Sequence, residues 1–367
     1  LFFHDDETTM NQNQKRKPVT PFTGLTKQVW DFGELVLRSR TARALEQGTT
    51  LYPVFRELRF AARIEHEVLL DAIALDPAWR AERLFSETLI LIGEGLYVTG
   101  YASRKADYSS YNFYVWAESL VRAEEAKQRI LDKAGSTRIA EPMFTIDWHF
   151  ASAMGGMDVA SIEEIANDVL RDRAYPELKG GVHDFIRRYL AAPETVLVLQ
   201  GPPGTGKTRL IRGILGEMSR RKGEQARALY TGDVRALAGD DLFVRFITGT
   251  HDAFVVEDAD HLLKPRADGN EHLHRFLTIA DGVVRAQGRK IIFSTNLPNV
   301  GDLDDALIRP GRCFARIHVR ALSGAEAHAL AQEIAGGDAE KLARAGVAFA
   351  AEEGRKRSLA EVYVAMR

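Results

Sequence analysis

The chain has 367 residues, 45% of them hydrophobic and 27% charged, with a formal net charge of −2. That is the make-up of a globular chain long enough for two or three cored domains, and the near-neutral balance argues against holding nucleic acid by bulk charge. The one cysteine, Cys313, excludes an internal disulfide framework and fits a reducing compartment.

Beyond its opening LFF, the start of the chain is polar, charged and unpatterned, so residues 1–20 are expected as a flexible arm, with Lys15, Arg16 and Lys17 solvated and Met10 an internal candidate start. The most apolar stretch, TLILIGEGLYV over 88–98, carries Glu94 and is shorter than the ~18–20 residues that a membrane-spanning helix needs. With no secretory leader pattern either, a cytoplasmic location without a membrane span is expected.

Residues 21–155 are expected as an N-terminal α+β domain. Val54, Phe55, Leu58, Ala61 and Ala62, then Val68, Leu69 and Ile73, recur near helical spacing. Strand-like runs follow at 88–101 and 112–117, then a helix over about 118–134 ended by Gly135 and Ser136. In MFTIDWHF (143–150), apolar residues alternate with polar ones, as in a half-buried strand. Gly155 and Gly156 mark the boundary. Residues 156–321 read as an α/β core. Ile162, Ile165, Ala166, Val169 and Leu170 make one helical stripe, and Val182, Phe185, Ile186, Tyr189 and Leu190 another. Strand candidates then alternate with helical patterns at 196–199, 228–230, 253–256, 290–294 and 316–319, which implies a parallel, three-layer sheet. Residues 322–367 are alanine-rich and read as a helical lid, with helices over 325–334 and 359–366.

The chemistry concentrates in GPPGTGKT, residues 201–208, placed between the apolar run VLVL and a helical pattern. This is the spacing G-x-x-x-x-G-K-[ST], a nest of backbone N–H groups for a triphosphate. Gly201, Pro202, Pro203, Gly204, Thr205 and Gly206 form the loop, Lys207 supplies charge for the β- and γ-phosphates, and Thr208 supplies a hydroxyl for Mg²⁺ at the helix N-terminus. The implied cofactors are ATP and Mg²⁺. In AFVVEDAD (253–260) a buried strand releases acidic side chains at its carboxyl end, where ligands sit in such sheets. Glu257 is assigned to the metal, through water, and Asp258 to the attacking water. KIIFSTN (290–296) ends at Asn296, whose amide can reach the γ-phosphate. LDDALIRPGR (303–312) turns at Pro310–Gly311, which is expected to set Arg309 and Arg312 together on an exposed loop.

In this order, with LHRFLTIADGV between the acidic pair and STN, the chain resembles the AAA+ superfamily, and within it the AAA subgroup with the second region of homology. The resemblance covers residues 160–320. It implies a core of strand order 5-1-4-3-2 and a homo-oligomer, usually a six-membered ring. It also implies Asn296 as first sensor and Arg309 and Arg312 as arginine fingers on the neighbouring subunit's nucleotide. Three departures stand out. The acidic pair is Glu257 then Asp258 where the family has Asp then Glu, an inversion similar to that of AAA ATPases that assemble mitochondrial complex III. The pore-loop stretch TGDVRALAGDD (231–241) lacks an aromatic residue, Leu237 being its best apolar candidate. The lid shows no Gly-Ala-Arg second sensor.

The expected function is an ATP-driven remodeller or disassembler of a protein client, held by the N-terminal domain. The alternatives are a nucleotide-switched assembly or adaptor protein with slow hydrolysis and, against the charge balance, a DNA-associated ATPase. His261, His272 and His274 read as surface or core histidines rather than a metal site, because a helix puts 272 and 274 on different faces. Tyr108, Tyr111, Phe113, Tyr114 and Trp116 alternate as packed strand residues do.

Overall fold

The computed structural model describes residues 38–46, 52–105, 107–152, 156–264, 273–281, 288–299 and 303–367 apart from 351–353. The expected arm, Gly155 and His272 lie outside them. The chain forms two compact units, Leu1–Ile139 and Ala140–Arg367. Among the described residues no helix is long and apolar enough to cross a membrane.

The first unit is an antiparallel five-stranded sheet. Its strands are β1 (Val54–Ala62), β2 (Arg80–Phe85), β3 (Thr88–Gly93), β4 (Leu96–Arg104) and β5 (Ser109–Ala117), in the order β1-β5-β4-β3-β2. The helical spacing noted from Val54 to Ala62 is misleading. This segment pairs with β5 over all nine residues, and alternation sends Leu58, Phe60 and Ala62 into the core. The helical pattern holds further on, in the helix His66–Ala74, which buries Leu69, Leu70 and Ile73. The run 88–101 is two strands, because Glu94 and Gly95 make a two-residue hairpin with Gly95 at φ +61°. The helix Leu120–Ala134 starts where the Ser119 side chain accepts from the Arg122 N–H and stops at Gly135, φ +49°. Tyr111 and Phe113 pack inside, stacked on Phe60, whereas Tyr114 and Trp116 lie on the opposite face against Phe55.

The second unit is built on a seven-stranded mixed sheet. Its strands are β6 (Met143–Ala151), β7 (Met157–Ile165), β8 (Val196–Gln200), β9 (Ala226–Thr231), β10 (Ala253–Val256), β11 (Lys290–Thr295) and β12 (Cys313–His318), in the order β12-β8-β11-β10-β9-β6-β7. All neighbours are parallel except β6 and β7. Two expectations need correction here. MFTIDWHF is a strand, but it joins this sheet beside β9 rather than closing the N-terminal domain. Ile162 and Ile165 belong to β7, not to a helix, because Met157–Ile165 finds a partner in β6 along its whole length.

Every residue of β8, β10 and β11 is buried, as expected for strands covered on both faces. Leu197 and Leu199 meet the helices Val182–Ala191 and Lys207–Lys222, and the same cluster takes in the C-terminal helices Gly324–Ala335, Ala339–Ala350 and Leu359–Ala365. Val196 and Val198 face the helices Asp241–Thr248 and Leu273–Asp281, where Phe276 lies 4.7, 5.1 and 5.0 Å from the rings of Phe243, Phe254 and Phe293.

A buried polar group ties the extra strands to the parallel sheet. Asp147 on β6 accepts from Ser161 on β7 (2.6 Å) and Arg227 on β9 (2.7 Å), and pairs with His251 Nε2 (2.8 Å). Burial alone would raise this carboxyl. The His251, Ser161 and Arg227 contacts outweigh burial and hold it well below the ordinary value of 3.8. Its contribution to stability is therefore complete above that value and fades as the pH falls below it. Asp147→Asn should cost roughly 3 kcal/mol at pH 7 in urea unfolding, and the loss should shrink between pH 4 and pH 3. A pH-independent loss would contradict this.

Candidate active site

The site is made where β8, β10 and β11 end side by side. After Gln200 the chain turns so tightly that a Cβ on Gly201 would stand 1.9 Å from the carbonyl oxygen of Val319. At Gly206 (φ +97°) a Cβ would stand 2.6 Å from Leu359 and 2.9 Å from the Tyr175 hydroxyl. Only glycine closes the loop at either point. The loop is braced from outside: Tyr175 donates to the Gly206 carbonyl (3.0 Å), and the Ala360 N–H donates to the Gly204 carbonyl (2.9 Å).

Lys207 is 8% exposed. Its Nζ donates to the carbonyls of Gly201 (2.6 Å) and Pro202 (3.0 Å) and to Asn296 Oδ1 (2.9 Å). Burial pulls this ammonium below its ordinary range, against the opposing field of Asp258, Asp260 and Glu257. Asn296 uses both ends of its amide, since its Nδ2 donates to Asp258 Oδ1 (3.0 Å). Glu257 is held at both carboxylate oxygens, by the Thr208 hydroxyl (2.6 Å) and the Tyr230 hydroxyl (3.0 Å). Asp258 has φ +49° and is the one non-glycine residue with positive φ among those described, a conformation that Asp tolerates better than most and that clusters at functional sites.

These groups open onto a cavity of about 600 Å³, a size that suits a nucleotide. One wall is the final helix, which contributes Leu359, Ala360, Tyr363 and Val364, followed by Arg367. The Arg209 guanidinium stacks 4.1 Å from the Tyr363 ring centroid. The residues fit ATP with Mg²⁺: a glycine cradle and an ammonium for phosphate, and hard hydroxyl and carboxylate oxygens converging at Thr208 and Glu257.

The sequence-selected residues thus divide. Gly201 to Thr208, Glu257, Asp258 and Asn296 come together. Arg309 and Arg312 do not line the cavity, and their side chains part: Arg309 is exposed, whereas Arg312 is 8% exposed and its guanidinium bonds the Ala306 carbonyl. The turn is present, since the Arg312 N–H donates to the Arg309 carbonyl (3.2 Å), but it folds Arg312 inward. Leu237 is fully buried, so it is a core residue and not an apolar grip. Among the described residues no group of three His, Cys, Asp or Glu is placed for a metal ion. Burial pushes the Cys313 thiol up to about 11, which keeps it unreactive.

Sequence reasoning missed three participants. Asp260 Oδ1 accepts from the Thr295 hydroxyl (2.6 Å) and the Asn296 N–H (2.8 Å), which fixes the end of β11. Its place in EDAD was the available signal. Tyr230 gave none without the β9–β10 pairing. The final helix was expected as part of a lid, and the Ser358–Glu361 capping box marks its start, but its docking on the glycine loop is a long-range contact.

The fold and site define a phosphate-loop nucleotide-binding α/β protein. Residues 197–321 match the model of the ATPase family associated with various cellular activities (AAA), so this segment of the chain is an AAA domain. It is 32% identical over 176 residues to the ATP-dependent zinc metalloprotease YME1 homolog of Caenorhabditis elegans, covering 45% of this chain and 22% of that protein. It is 27% identical over 238 residues to the human peroxisomal ATPase PEX1 (58% and 18%). It is 34% identical over 162 residues to the mitochondrial inner membrane i-AAA protease supercomplex subunit YME1 of Saccharomyces cerevisiae (42% and 20%). The matches to the first two span about a fifth of those relatives' own length.

Asp260→Ala would leave the Thr295 hydroxyl and the Asn296 N–H without their acceptor. It should cost about 2–3 kcal/mol in chemical denaturation and weaken nucleotide binding in the same protein. Unchanged stability would remove Asp260 from the frame of the site.

Proposed function

We propose that the chain is an oligomeric ATPase that binds and hydrolyses ATP and uses the cycle to remodel a protein client, with the first unit as the client-binding part. The observation that carries this reading is the convergence of Lys207, Thr208, Glu257, Asp258 and Asn296 on one cavity. The strand order β12-β8-β11-β10-β9, numbered along the chain from β8, supports the 5-1-4-3-2 core.

When bound, ATP–Mg²⁺ supplies the phosphoanhydride bond that is broken. The loop N–H groups and Lys207 hold the phosphates, and Lys207 exchanges its contacts with the loop carbonyls for that role. Thr208 and Glu257 would hold Mg²⁺ on this side of the site. Asp258 orients the attacking water and accepts its proton, and Asn296 keeps Asp258 and Lys207 in register. Arg309 is exposed and does not line its own cavity, and we assign it to a neighbouring copy's nucleotide. Arg312 holds the loop that presents it. That role requires a homo-oligomer, six-membered by family resemblance.

One observation favours a second reading, a nucleotide switch with slow turnover. Asp258 is shorter than the usual glutamate by one carbon, ~1.5 Å of reach, and its carboxylate is already engaged by Asn296. Near-attack geometry is sensitive on that scale.

ATPase rate per subunit should fall on dilution through dissociation, and Arg309→Ala should lose roughly 10³-fold in rate while keeping ATP binding; a rate independent of concentration overturns the trans-acting arginine. Lys207→Ala should abolish nucleotide binding in calorimetry. Asp258→Glu separates the two readings: faster hydrolysis with client processing kept supports the remodeller, whereas faster hydrolysis with partner binding lost supports the switch.

A further inference from the structure

We infer that Tyr230 is a positioning residue for Glu257, and that its hydroxyl is what fits the longer glutamate to the metal side of the site. The inference rests on the nucleotide reading above. A glutamate at the end of β10 has one more torsion than an aspartate, so its carboxylate can swing through positions that an aspartate cannot reach. Here the swing is stopped from two sides. Oε1 accepts from the Thr208 hydroxyl at 2.6 Å, and Oε2 accepts from the Tyr230 hydroxyl at 3.0 Å. Thr208 belongs to the first turn of the helix Lys207–Lys222 and Tyr230 to the neighbouring strand, so the carboxylate is triangulated between two separate elements.

The phenol is itself well fixed. Parallel register sets Tyr230 beside Val255 on β10 and Trp148 on β6, and the Trp148 ring stands edge-on to it at 6.0 Å. The strand pair β6–β7 therefore serves the site from a distance by packing the residue that orients Glu257. Partners that orient a direct metal ligand commonly matter roughly 10–100-fold in metal affinity, and the low end of that range is expected for a carboxylate acting through water.

Tyr230→Phe keeps the ring and removes only the hydroxyl. The full chain is titrated with Mn²⁺ in the presence of the non-hydrolysable analogue adenylyl imidodiphosphate, and bound metal is read by electron paramagnetic resonance. Half-saturation should shift upward by roughly tenfold or more in Tyr230→Phe, while affinity for the analogue in EDTA stays at the wild-type value. In a Glu257→Asp background the same tyrosine change should have no effect, because the shorter side chain does not reach the phenol. Superimposable Mn²⁺ titrations of wild type and Tyr230→Phe overturn the inference. An equal loss of analogue affinity in EDTA also overturns it, since that marks a merely structural role. A wild-type chain that binds no analogue at all overturns the nucleotide reading and takes this inference with it.

Discussion

Lys207 is a charge largely withdrawn from water, and the surrounding chain is arranged to satisfy it. An ammonium at 8% exposure needs acceptors on every side, and it finds two loop carbonyls and the Asn296 amide oxygen. The loop carbonyls are available because glycine lets the backbone double back. The amide is available because Asp260 pins the end of β11. Acidic residues at the end of β10 add the field that partly offsets the cost of burial. The ends of β8 and β11 are thus held to one geometry by one cation, with the acidic end of β10 in its field.

The parallel sheet supports this by being dry on both faces. Its alternating leucines and valines divide between two helical layers, so β8 cannot shift register without turning each of them to the wrong side. The two carboxylates that leave β10 differ in their restraint. Glu257 is tied to the start of the helix Lys207–Lys222 and to β9, whereas Asp258 is tied to Asn296 and turned by its own left-handed backbone.

The glycine loop, the acidic pair and Asn296 were legible because each is a short motif at the end of an apolar run, and the local pattern alone places it. The five parallel strands were legible for the same reason. Residues 54–62 were not: Val54, Leu58, Ala61 and Ala62 satisfy a helical period, and only nine-residue pairing with β5 decides for a strand. Ile162 and Ile165 misled in the same way, since β7 depends on β6. Arg312 was legible as a turn residue but not as a buried one, because its acceptor is a carbonyl six residues back. Tyr230 and the final helix enter the site through contacts across the fold, which no local window contains.

The hairpin of β6 and β7 also changes what the sheet offers to other chains. Without it, β9 would be the border, a parallel strand of Ala, Leu and Tyr with its backbone groups unpaired on one side, the kind of border that templates aggregation. With it, the border is β7, which is exposed at Asp158, Val159 and Ser161 and carries Glu163 and Glu164 beside them. Charged side chains along a sheet margin discourage an added strand, and Glu164 is there already paired with Arg212, so the added hairpin doubles as a guard rail.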